Sequence, residues 1–579
     1  MATTLSVVLG GLVVYLLTYR LWGKHLERRL VQADDTRETP AQALFDGVDY
    51  VPARPGVLFG HHFASIAGAV PIVGPIIALA WGWLPALLWV WFGNVLIGAI
   101  HDYLSLMASV RHRGRSIQWI AGEFISRRTS YLFRVFILFT LILVIGAFAS
   151  IIATIFVKNP AVGTASLLFI GVAVITGFVL YRTPAGLLPG TLLGLGLLAG
   201  AIAAAPWMPL RLTYNQWLLV LLVYMTVAAS LPVWVLLQPR DYLNAFLLWG
   251  GLALGALVLI LLHHALQVPA YTRWSAPVIA GHPSPFWPVI PLIIACGSLS
   301  GFHSLVASGT TSKQLARESH GLFVGFGGML TEGFLSTTVI AVVGAFGVTV
   351  LQAKGLLSGG DFARTYGKAL GEIGGPVGMF AHSYAEAVAR VVPTISRKLV
   401  VVFASLWVSA FALTTLDTTA RLARFTLAEL LEPLRRHGEA HPLAFLENKW
   451  VASFAVSLAG LFLAFGALWK VLWPSFGGAN QLLASIALFT VSAWVLKELR
   501  HAGLLYRLAV LLPALFLWVT ITAALLWYLA VPLRALLQTH PAQAVLLMGI
   551  VLVELFLNLL LLADGLRSVR RPLAEPLSQ

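Results

Sequence analysis

Charged residues and cysteine are both scarce in this chain of 579 residues. Asp, Glu, Lys and Arg together make up 11% of the sequence, whereas soluble domains usually contain about 25%. The single cysteine, Cys296, excludes an intrachain disulfide, a zinc cluster built on several cysteines and an iron–sulfur site. The sequence also contains no Walker A motif and no GxSxG elbow, so it carries neither of these enzyme signatures.

Apolar residues dominate the chain instead. They make up 59% of it, and the mean hydropathy is +0.87. A soluble core cannot hide this much apolar surface, and runs of roughly 17–25 apolar residues are typical of membrane-spanning helices. Such runs lie near 3–19, 57–80, 83–109, 135–157, 161–181, 184–204, 216–237, 243–267, 286–308, 322–352, 398–416, 450–472, 478–496, 508–530 and 542–563. The sequence therefore predicts an all-α polytopic membrane protein with about 15 transmembrane helices.

The formal net charge of +15 comes from Lys and Arg in short loops between the apolar runs. No basic polar domain is present, so nucleic acid is not an expected partner. Of the 38 Lys and Arg residues, 27 fall on the side that follows the odd-numbered spans. Because positive charge stays cytoplasmic, we predict an external N-terminus and a cytoplasmic C-terminus. The same loops are expected to contact the anionic headgroups of membrane lipids.

The spans divide the chain into four parts. We predict an N-terminal helix with a cytoplasmic loop (1–56), a first core half with extra helices (57–285), an inverted second half (286–496) and C-terminal helices (497–579). The segment 353–397 within the second half is rich in glycine and moderately polar. It is expected to form short external helices or a re-entrant hairpin, because irregular backbone near a membrane must be buried in protein or line a cavity.

The span near 57–80 combines two adjacent histidines, His61 and His62, with helix-breaking residues. Pro71 and Pro75 each remove a backbone hydrogen bond. A broken helix exposes N–H and C=O groups at membrane depth, and transporters use these groups to hold substrates and ions. We therefore predict a substrate site at a broken helix here. The alternative is a kinked structural helix with satisfied histidines.

A second small, polar and histidine-bearing stretch, 296–304, lies in the span near 286–308. This span points in the opposite direction to the span near 57–80, and two broken helices of inverted orientation are typical of an inverted-repeat transporter. The alternative is tight packing of small residues between helices. An offset of 241 residues gives three identical pairs: Gly60 and Gly301, His62 and His303, Gly68 and Gly309.

Two carboxylates lie inside predicted spans, and such groups are functional candidates because burying them is costly. Asp102 follows His101, a neighbour that can share its proton near neutral pH. Glu332 lies in the span near 322–352. The alternatives are that Asp102 is solvated at the cytoplasmic end of its helix, and that Glu332 suits the dipole at a helix start.

Hydroxyls and a carboxylate also crowd the end of one apolar helix. Thr414, Thr415 and Thr418 surround Asp417 in the sequence. Oxygen ligands suit hard cations, so these residues are candidates for ion coupling. The alternative is an interfacial Asp417 paired with Arg421 at i+4.

Two further motifs, 236–242 and 473–481, by themselves are typical of ordinary loops. His61, His62 and His101 could in principle bind a metal, but no HExxH motif or Cys–His spacing supports that. We therefore predict no metal site and no cofactor.

The motifs together resemble the carbon-starvation A family of bacterial membrane transporters. The run Phe59-Gly60-His61-His62-Phe63 is specific to the family, and the whole set of motifs in this order is more specific still. Ser312 and Ala420 stand where the family is expected to have Pro and Thr, and neither change removes a titratable group. The matching stretches are 39–40, 46–50, 59–68, 71–75, 98–102, 237–242, 300–304, 308–313, 417–421 and 477–481.

The resemblance implies a secondary transporter of the amino acid–polyamine–cation superfamily in the bacterial cytoplasmic membrane. Its core would be a LeuT-like inverted repeat, with the broken helices near 57–80 and 286–308 at the substrate site. Family members are associated with peptide uptake during carbon starvation and with pyruvate uptake, and the sequence leaves both substrates open.

We therefore expect an importer of small carboxylate-bearing nutrients, driven by protons or alternatively by sodium. An intramembrane enzyme and a channel are the rival interpretations, and we predict that the chain is not an enzyme. The candidate substrate-binding residues are Gly60, His61, His62, Ser65, Gly68, Ser300, Gly301, His303 and Ser304. The candidate ion-coupling residues are Asp417, Thr414, Thr415, Thr418, His101, Asp102 and Glu332.

Overall fold

The structure is a computed structural model of a protein built almost entirely from helices. It describes residues 2–47, 49–184, 186–232, 235–357, 361–435, 443–465, 469–499 and 501–569. Within these ranges the two strands, β1 (Ser275–Ile279) and β2 (His282–Pro285), pair as one antiparallel hairpin.

Thirteen α-helices precede the hairpin. They are α1 (Thr4–Leu17), α2 (Lys24–Leu26), α3 (Pro40–Ala43), α4 (Pro55–Ala67), α5 (Val70–Ala78), α6 (Trp83–Gly93), α7 (Ala99–Arg111), α8 (Ile117–Phe124), α9 (Arg127–Lys158), α10 (Pro160–Arg182), α11 (Leu187–Ala204), α12 (Tyr214–Ser230) and α13 (Leu237–Leu262). Short π-helical turns join α1 to α2 and α6 to α7, so each of these pairs continues as one span.

Eleven α-helices follow the hairpin. They are α14 (Phe286–Ile293), α15 (Phe302–Gly309), α16 (Gly327–Ala353), α17 (Phe362–Glu372), α18 (Gly375–Val391), α19 (Arg397–Arg435), α20 (Lys449–Ala464), α21 (Trp469–Lys497), α22 (Leu504–Tyr528), α23 (Arg534–Thr539) and α24 (Pro541–Val569).

The described part of the chain has 11 helices that are long and apolar enough to cross a membrane, or 12 if the bent pair α4–α5 is one span. The prediction of a polytopic helical membrane protein is therefore confirmed. Three predicted spans fall on shorter helices: 216–237 on α12 with 17 residues, 450–472 on α20 with 16, and 286–308 on α14 and α15 with 8 each. For these three, assignment as membrane spans stays a prediction, and so does the total of fifteen.

Four loops that the sequence assigns to one side of the membrane contact one another. Arg111 donates to Glu318 at 2.6 Å, and Arg37 donates to the same carboxylate at 3.5 Å. Lys497 donates to the Phe124 carbonyl at 2.7 Å. We call this side the basic face. Its contacts agree with the predicted alternation of the spans.

The opposite side, which we call the hairpin face, carries the strands β1 and β2. The N-terminus lies there, because the Thr4 N–H donates to the His264 carbonyl at 2.8 Å. Arg273, just before the hairpin, forms an ion pair with Asp361. The segment predicted to lie outside the membrane, 353–397, therefore contacts the loop that leads from α13 to α14.

That segment contains two helices, α17 and α18, within its described residues. The Tyr366 hydroxyl of α17 donates to the Ile76 carbonyl of α5 at 2.9 Å. The Tyr384 hydroxyl of α18 donates to the Gly251 carbonyl of α13 at 2.8 Å. The helix α17 therefore packs onto α5, which follows the first break, and α18 packs onto α13.

Burial separates central helices from peripheral ones. Residues of α9, α16, α19 and α21 are mostly buried, whereas fewer than half of the residues in the apolar windows of α1, α11 and α22 are buried. Exposed leucine and valine on a helix this apolar are expected to face lipid, where they cost nothing. The polar side chains described below lie among the central helices.

Candidate functional site

The first break separates α4 from α5, and the two helices are bent by 45°. Gly68 ends α4 with φ +51° and ψ −155°, a backbone conformation that is open mainly to glycine. A Cβ at this position would also lie 2.7 Å from Thr415 Oγ1 of α19. Glycine is therefore required at this break both for the backbone turn and for the approach of α19. The prediction of a broken helix near 57–80 agrees with this geometry.

The second break is longer and separates α14 from α15 over residues 294–301, where Gly297 has φ +81°. Asn480 of α21 satisfies the backbone groups that the break frees. Its Nδ2 donates to the Ala295 carbonyl at 2.8 Å, and its Oδ1 accepts from the Phe302 N–H at 3.0 Å. The break is thus a defined structure that a neighbouring helix holds in place.

Both motifs that by themselves indicated ordinary loops lie mainly in helices. Residues 473–481 are part of α21, and 237–242 form the first turns of α13. Glycine in 473–481 misled the prediction because it serves close packing: a Cβ at Gly477 would collide with the Leu292 backbone. Gln481 adds a second contact to the break, donating to the Leu299 carbonyl at 2.9 Å.

The two breaks contact each other in the buried centre of the molecule. A Cβ at Gly74 of α5 would lie 2.5 Å from the Ile293 carbonyl at the end of α14. Ser336 of α16 donates to the Pro71 carbonyl at 2.8 Å. Asn94 of the α6–α7 span donates to the Gly297 carbonyl at 2.8 Å. Two stretches more than 200 residues apart in the sequence therefore form one site.

A group of fully buried ionisable side chains lies beside the second break. Asp102 Oδ1 accepts from His101 Nδ1, and Asp102 Oδ2 accepts from His303 Nδ1, both at 2.8 Å. His303 Nε2 lies 3.2 Å from Cys296 Sγ and 3.5 Å from the Glu332 carboxylate. We call these five residues the histidine–carboxylate cluster. The alternative of a solvated Asp102 is wrong, since its side chain is fully buried.

Three residues of this cluster could hold a metal ion. The ligand atoms of Cys296, His303 and Glu332 all lie within 4.8 Å of one another. Both oxygens of the Glu332 carboxylate are buried and have no hydrogen-bond partner among the described residues. The sequence did not point to Cys296, since a lone cysteine carries no spacing signal.

His62 is fully buried in α4, six residues before Gly68, and lies against α16. Its Nδ1 is hydrogen bonded to Thr311 Oγ1 at 2.8 Å. Its Nε2 has no partner in the part of the chain that the structure describes. Gly328 of α16 packs against the ring, because a Cβ there would lie 3.0 Å from His62 Cδ2. His62 therefore presents one free nitrogen in a buried, polar position.

The neighbours of His62 in α4 are more open. His61 and Gly60 are half-buried, and a Cβ at Gly60 would meet nothing within 4 Å. Ser65 donates to the His61 carbonyl at 2.8 Å. The Ser65 hydroxyl is thus engaged within its own helix, whereas His61 and Gly60 border free space.

The predicted residues of the second stretch mainly hold the break itself. Ser304 donates to the Gly301 carbonyl at 2.7 Å, and Ser300 donates to Asn480 Oδ1 at 3.2 Å. The offset of 241 residues does not align the first break with the second. It pairs Gly68, which lies at the first break, with Gly309, which ends α15 after the second break.

A second buried polar group lies among α12, α13 and α19. Arg240 forms an ion pair with Asp417, and its Nη2 donates to Asp241 Oδ1 at 2.7 Å. The Tyr224 hydroxyl donates to Asp417 Oδ2 at 2.7 Å. Arg240 and Asp417 are fully buried. We call these four residues the arginine cluster.

The partner of Asp417 is therefore Arg240 and not Arg421, so the interfacial i+4 pair is wrong. Arg421 instead donates to the carbonyls of Ala228 and Leu231 at 2.9 and 2.7 Å. It secures the end of α12 to α19.

The three predicted threonines do not share one partner. Thr414 accepts from Asn244 of α13 at 3.2 Å, and Thr415 lies beside the first break. Thr418 is half-buried. With Asp417 engaged by Arg240, the structure does not gather these oxygens around one point.

Comparison with known proteins places the chain in a family. The family model described as carbon starvation protein CstA matches residues 3–524. The chain belongs to this family. It is 33% identical over 580 residues to the peptide transporter CstA of Escherichia coli K12, covering 90% of this chain and 80% of the relative. The peptide transporter CstA of Bacillus subtilis is 30% identical, covering 90% of each chain.

A relative with a different name matches over the same extent. The pyruvate/proton symporter BtsT of Escherichia coli K12 is 31% identical, covering 90% of this chain and 81% of the relative. Family and relatives together identify a bacterial multi-pass membrane transporter of the CstA family, not an enzyme. The predictions on these points are confirmed.

The fold is similar to that of a solved membrane transporter. A manganese transporter from Eremococcus coleocola, solved as a single-residue mutant, superposes with a TM-score of 0.51. It is 11% identical and covers 91% of this chain, and the match spans 99% of the manganese transporter. The likeness concerns the fold alone.

Proposed function

We propose that this CstA-family chain is a secondary active importer of small carboxylate-bearing nutrients, short peptides or pyruvate, driven by protons. One observation carries the proposal: two broken helices meet in the buried centre, next to side chains that can bind or hold charge. The names of two relatives, peptide transporter and pyruvate/proton symporter, supply the substrate class.

The substrate carboxylate would bind at the first break. The N-terminus of α5 begins directly after Gly68, and the N–H groups and dipole of a helix start favour anions. His62, six residues before Gly68 on α4, has an Nε2 without a hydrogen-bond partner among the described residues, and this nitrogen can donate a hydrogen bond to a carboxylate. Gly60, two residues before His62, borders open space.

The core would be a LeuT-like inverted repeat with halves at 57–285 and 286–496. Opposite orientation of the two broken helices supports this. The segment leading into α4 contacts the basic face, since the Ala53 N–H donates to the Gln314 carbonyl at 2.9 Å. The helix α14 begins directly after β2, on the hairpin face.

Proton coupling would reside in the arginine cluster. Arg240 carries one positive charge, whereas Asp241 and Asp417 together carry two negative charges, so the cluster has one excess negative charge when both are ionised. One proton on Asp417 would make this buried group neutral, which lowers the cost of burying it. Sodium is the alternative ion. The oxygens of Asp417 already accept from Arg240 and Tyr224, which leaves less room for a cation.

The basic face would lie in the cytoplasm of a bacterium, with the chain in the inner membrane. Arg111, Arg37 and Lys497 all lie at this face, and positive charge stays cytoplasmic. The N-terminus, on the hairpin face, would then be external.

The test is an uptake panel with the purified chain in proteoliposomes. Labelled pyruvate and a labelled dipeptide are each presented with an imposed proton gradient, an imposed sodium gradient, or none. We expect one substrate to accumulate unchanged under the proton gradient, and a protonophore to abolish this. Accumulation under the sodium gradient alone would reject proton coupling. Equilibration without accumulation under either gradient would indicate a channel and reject the proposal.

A further inference from the structure

Cys296, His303 and Glu332 share a buried position at the second break, and the transport proposal gives Cys296 and Glu332 no role in substrate binding or proton coupling. Their ligand atoms, one sulfur, one nitrogen and one oxygen, are within 4.8 Å of one another. They come from three elements: the unwound segment, α15 and α16. Each side chain is fully or almost fully buried.

Two of the three ligand-atom separations are close to those of a tetrahedral metal site, and the third is no more than 4.8 Å. With Zn–N and Zn–O lengths near 2.0–2.1 Å and Zn–S near 2.3 Å, ligand atoms of one tetrahedral zinc ion lie about 3.3–3.6 Å apart. The observed separations are 3.2 Å from His303 Nε2 to Cys296 Sγ and 3.5 Å from His303 Nε2 to Glu332 Oε2. Thiolate, imidazole and carboxylate are the ligand types that zinc takes.

The surroundings of His303 provide a second, independent observation. Its Nδ1 donates to Asp102 Oδ2 at 2.8 Å, which leaves Nε2 directed at Cys296 and Glu332. Metal-bound histidines almost always donate their other ring N–H to a carboxylate or carbonyl in this way. His101 in turn holds the other oxygen of Asp102 at 2.8 Å.

A third observation concerns charge. Glu332 is fully buried, and among the described residues its carboxylate makes no close hydrogen bond beyond the 3.5 Å approach of His303 Nε2. A buried carboxylate without a close hydrogen-bond partner is costly. A divalent cation bound by the Cys296 thiolate, the Glu332 carboxylate and neutral His303 would form a neutral group, because two negative charges balance two positive ones.

We propose that Cys296, His303 and Glu332 bind one divalent transition-metal ion of the zinc type, with Asp102 as the residue that positions His303. Binding releases the Cys296 thiol proton to solvent, since the thiolate is the ligand. Three protein ligands leave the fourth tetrahedral position to water or another small ligand. The site is separate from the arginine cluster and from His62, and it stands whether or not transport is proton-driven.

The experiment uses Co²⁺ as a spectroscopic substitute for Zn²⁺ on the purified full chain in detergent. Metal is removed with a chelator and Co²⁺ is then titrated, while metal per chain is counted by elemental analysis. Because Cys296 is the only cysteine in the sequence, a thiolate-to-cobalt charge-transfer band can arise only from this site. We expect one ion per chain, with that band, displaced by Zn²⁺.

Variants separate this site from adventitious binding. Cys296→Ser is expected to remove the charge-transfer band, and Glu332→Gln to weaken binding. Asp102→Asn should weaken binding about 10- to 100-fold, the usual effect of losing a carboxylate behind a metal-bound histidine. Glu554→Gln, which alters another buried carboxyl on α24, should bind as the wild type does. Thermal stability of each variant shows that it is folded.

Two outcomes overturn the inference. One is a wild-type chain that holds no stoichiometric metal, either as purified or after loading. The other is a Cys296→Ser variant that keeps wild-type affinity, which would assign the ion to surface histidines. Neither outcome bears on uptake in proteoliposomes, so failure here is distinguishable from failure of the transport proposal.

Discussion

Asp417 is one of two carboxylates around the buried guanidinium of Arg240. Asp417→Asn keeps the shape of the side chain and removes its charge. We expect it to stop accumulation of substrate under a proton gradient while substrate binding by the purified protein changes little. Breaking a buried pair usually costs about 3–5 kcal/mol. Because Asp241 still pairs with Arg240 in this variant, one positive charge balances one negative charge, and we expect a loss of stability below this range.

The matched control for that variant is Glu429→Gln on the same helix. Glu429 is also ion-paired, with Arg134 at 3.3 Å, but it is only half-buried, at the basic face. It should accumulate substrate as the wild type does. If Asp417→Asn concentrates substrate to the wild-type level, Asp417 serves only as the counter-ion of Arg240.

His62→Ala tests the substrate site at the first break. A hydrogen bond from a neutral imidazole to a charged carboxylate contributes about 1.5–3 kcal/mol, so we expect the apparent affinity for substrate to fall about 10- to 100-fold. Thermal stability should change little, because the ring makes one hydrogen bond, to Thr311. The measurement is uptake rate against substrate concentration. The control is His25→Ala, which changes an exposed histidine near Tyr506. Equal affinities in both variants would locate the site elsewhere.

Ionisable residues inside apolar spans are rare, and this rarity makes His62, Asp102 and Glu332 identifiable from the sequence. The positions of their partners could not be predicted in the same way. Arg240 meets Asp417 across 177 residues, and a search for partners at i+4 reaches only Arg421. The available signal is Arg240, a charged residue that follows Pro239 at the start of an apolar helix. The same pattern is typical of a loop between helices.

At the scale of helices, the breaks depend on single glycines. Gly68→Ala would place a Cβ on a backbone with positive φ and within 2.7 Å of Thr415. We expect a loss of about 1–3 kcal/mol from backbone strain, together with loss of uptake, because α5 would no longer begin at this point. Thermal unfolding of the purified protein measures the first effect.

Gly56→Ala serves as the control for Gly68→Ala. Gly56 lies in the same helix, and a Cβ there meets nothing within 4 Å. Its stability should equal that of the wild type or exceed it slightly, since alanine favours helix over glycine. Equal stability of both variants would show that the chain does not need the Gly68 conformation.

Both breaks were predictable because proline and glycine within an apolar run usually interrupt the helix. The same residues misled the prediction for 473–481, where glycine permits close contact inside α21. Gly477 lies against the Leu292 backbone and Gly478 against Leu525. Local sequence does not distinguish a glycine that ends a helix from one that lets another helix approach.

At the scale of the whole molecule, the loops sort onto two faces as alternating spans require. Contacts of Arg111 with Glu318 on one face, and of Thr4 with His264 on the other, join loops that are far apart in the sequence. Span lengths were less predictable, because α12 and α20 are shorter than the apolar runs that contain them. An apolar run in the sequence includes apolar residues of the adjoining loops, so it is longer than the helix itself.

Labelling of introduced cysteines tests which of the two faces lies on the cytoplasmic side of the membrane. Cysteines introduced one at a time by Asp35→Cys and Arg113→Cys, on the basic face, should react with a membrane-impermeant maleimide only in inside-out vesicles. Lys354→Cys and Trp207→Cys, exposed on the hairpin face, should react only in right-side-out vesicles. Cys296 is buried, and a Cys296→Ser background removes any residual signal. External labelling at Asp35 or Arg113 would reverse the orientation or break the alternation, because every loop on the basic face must lie on one side of the membrane.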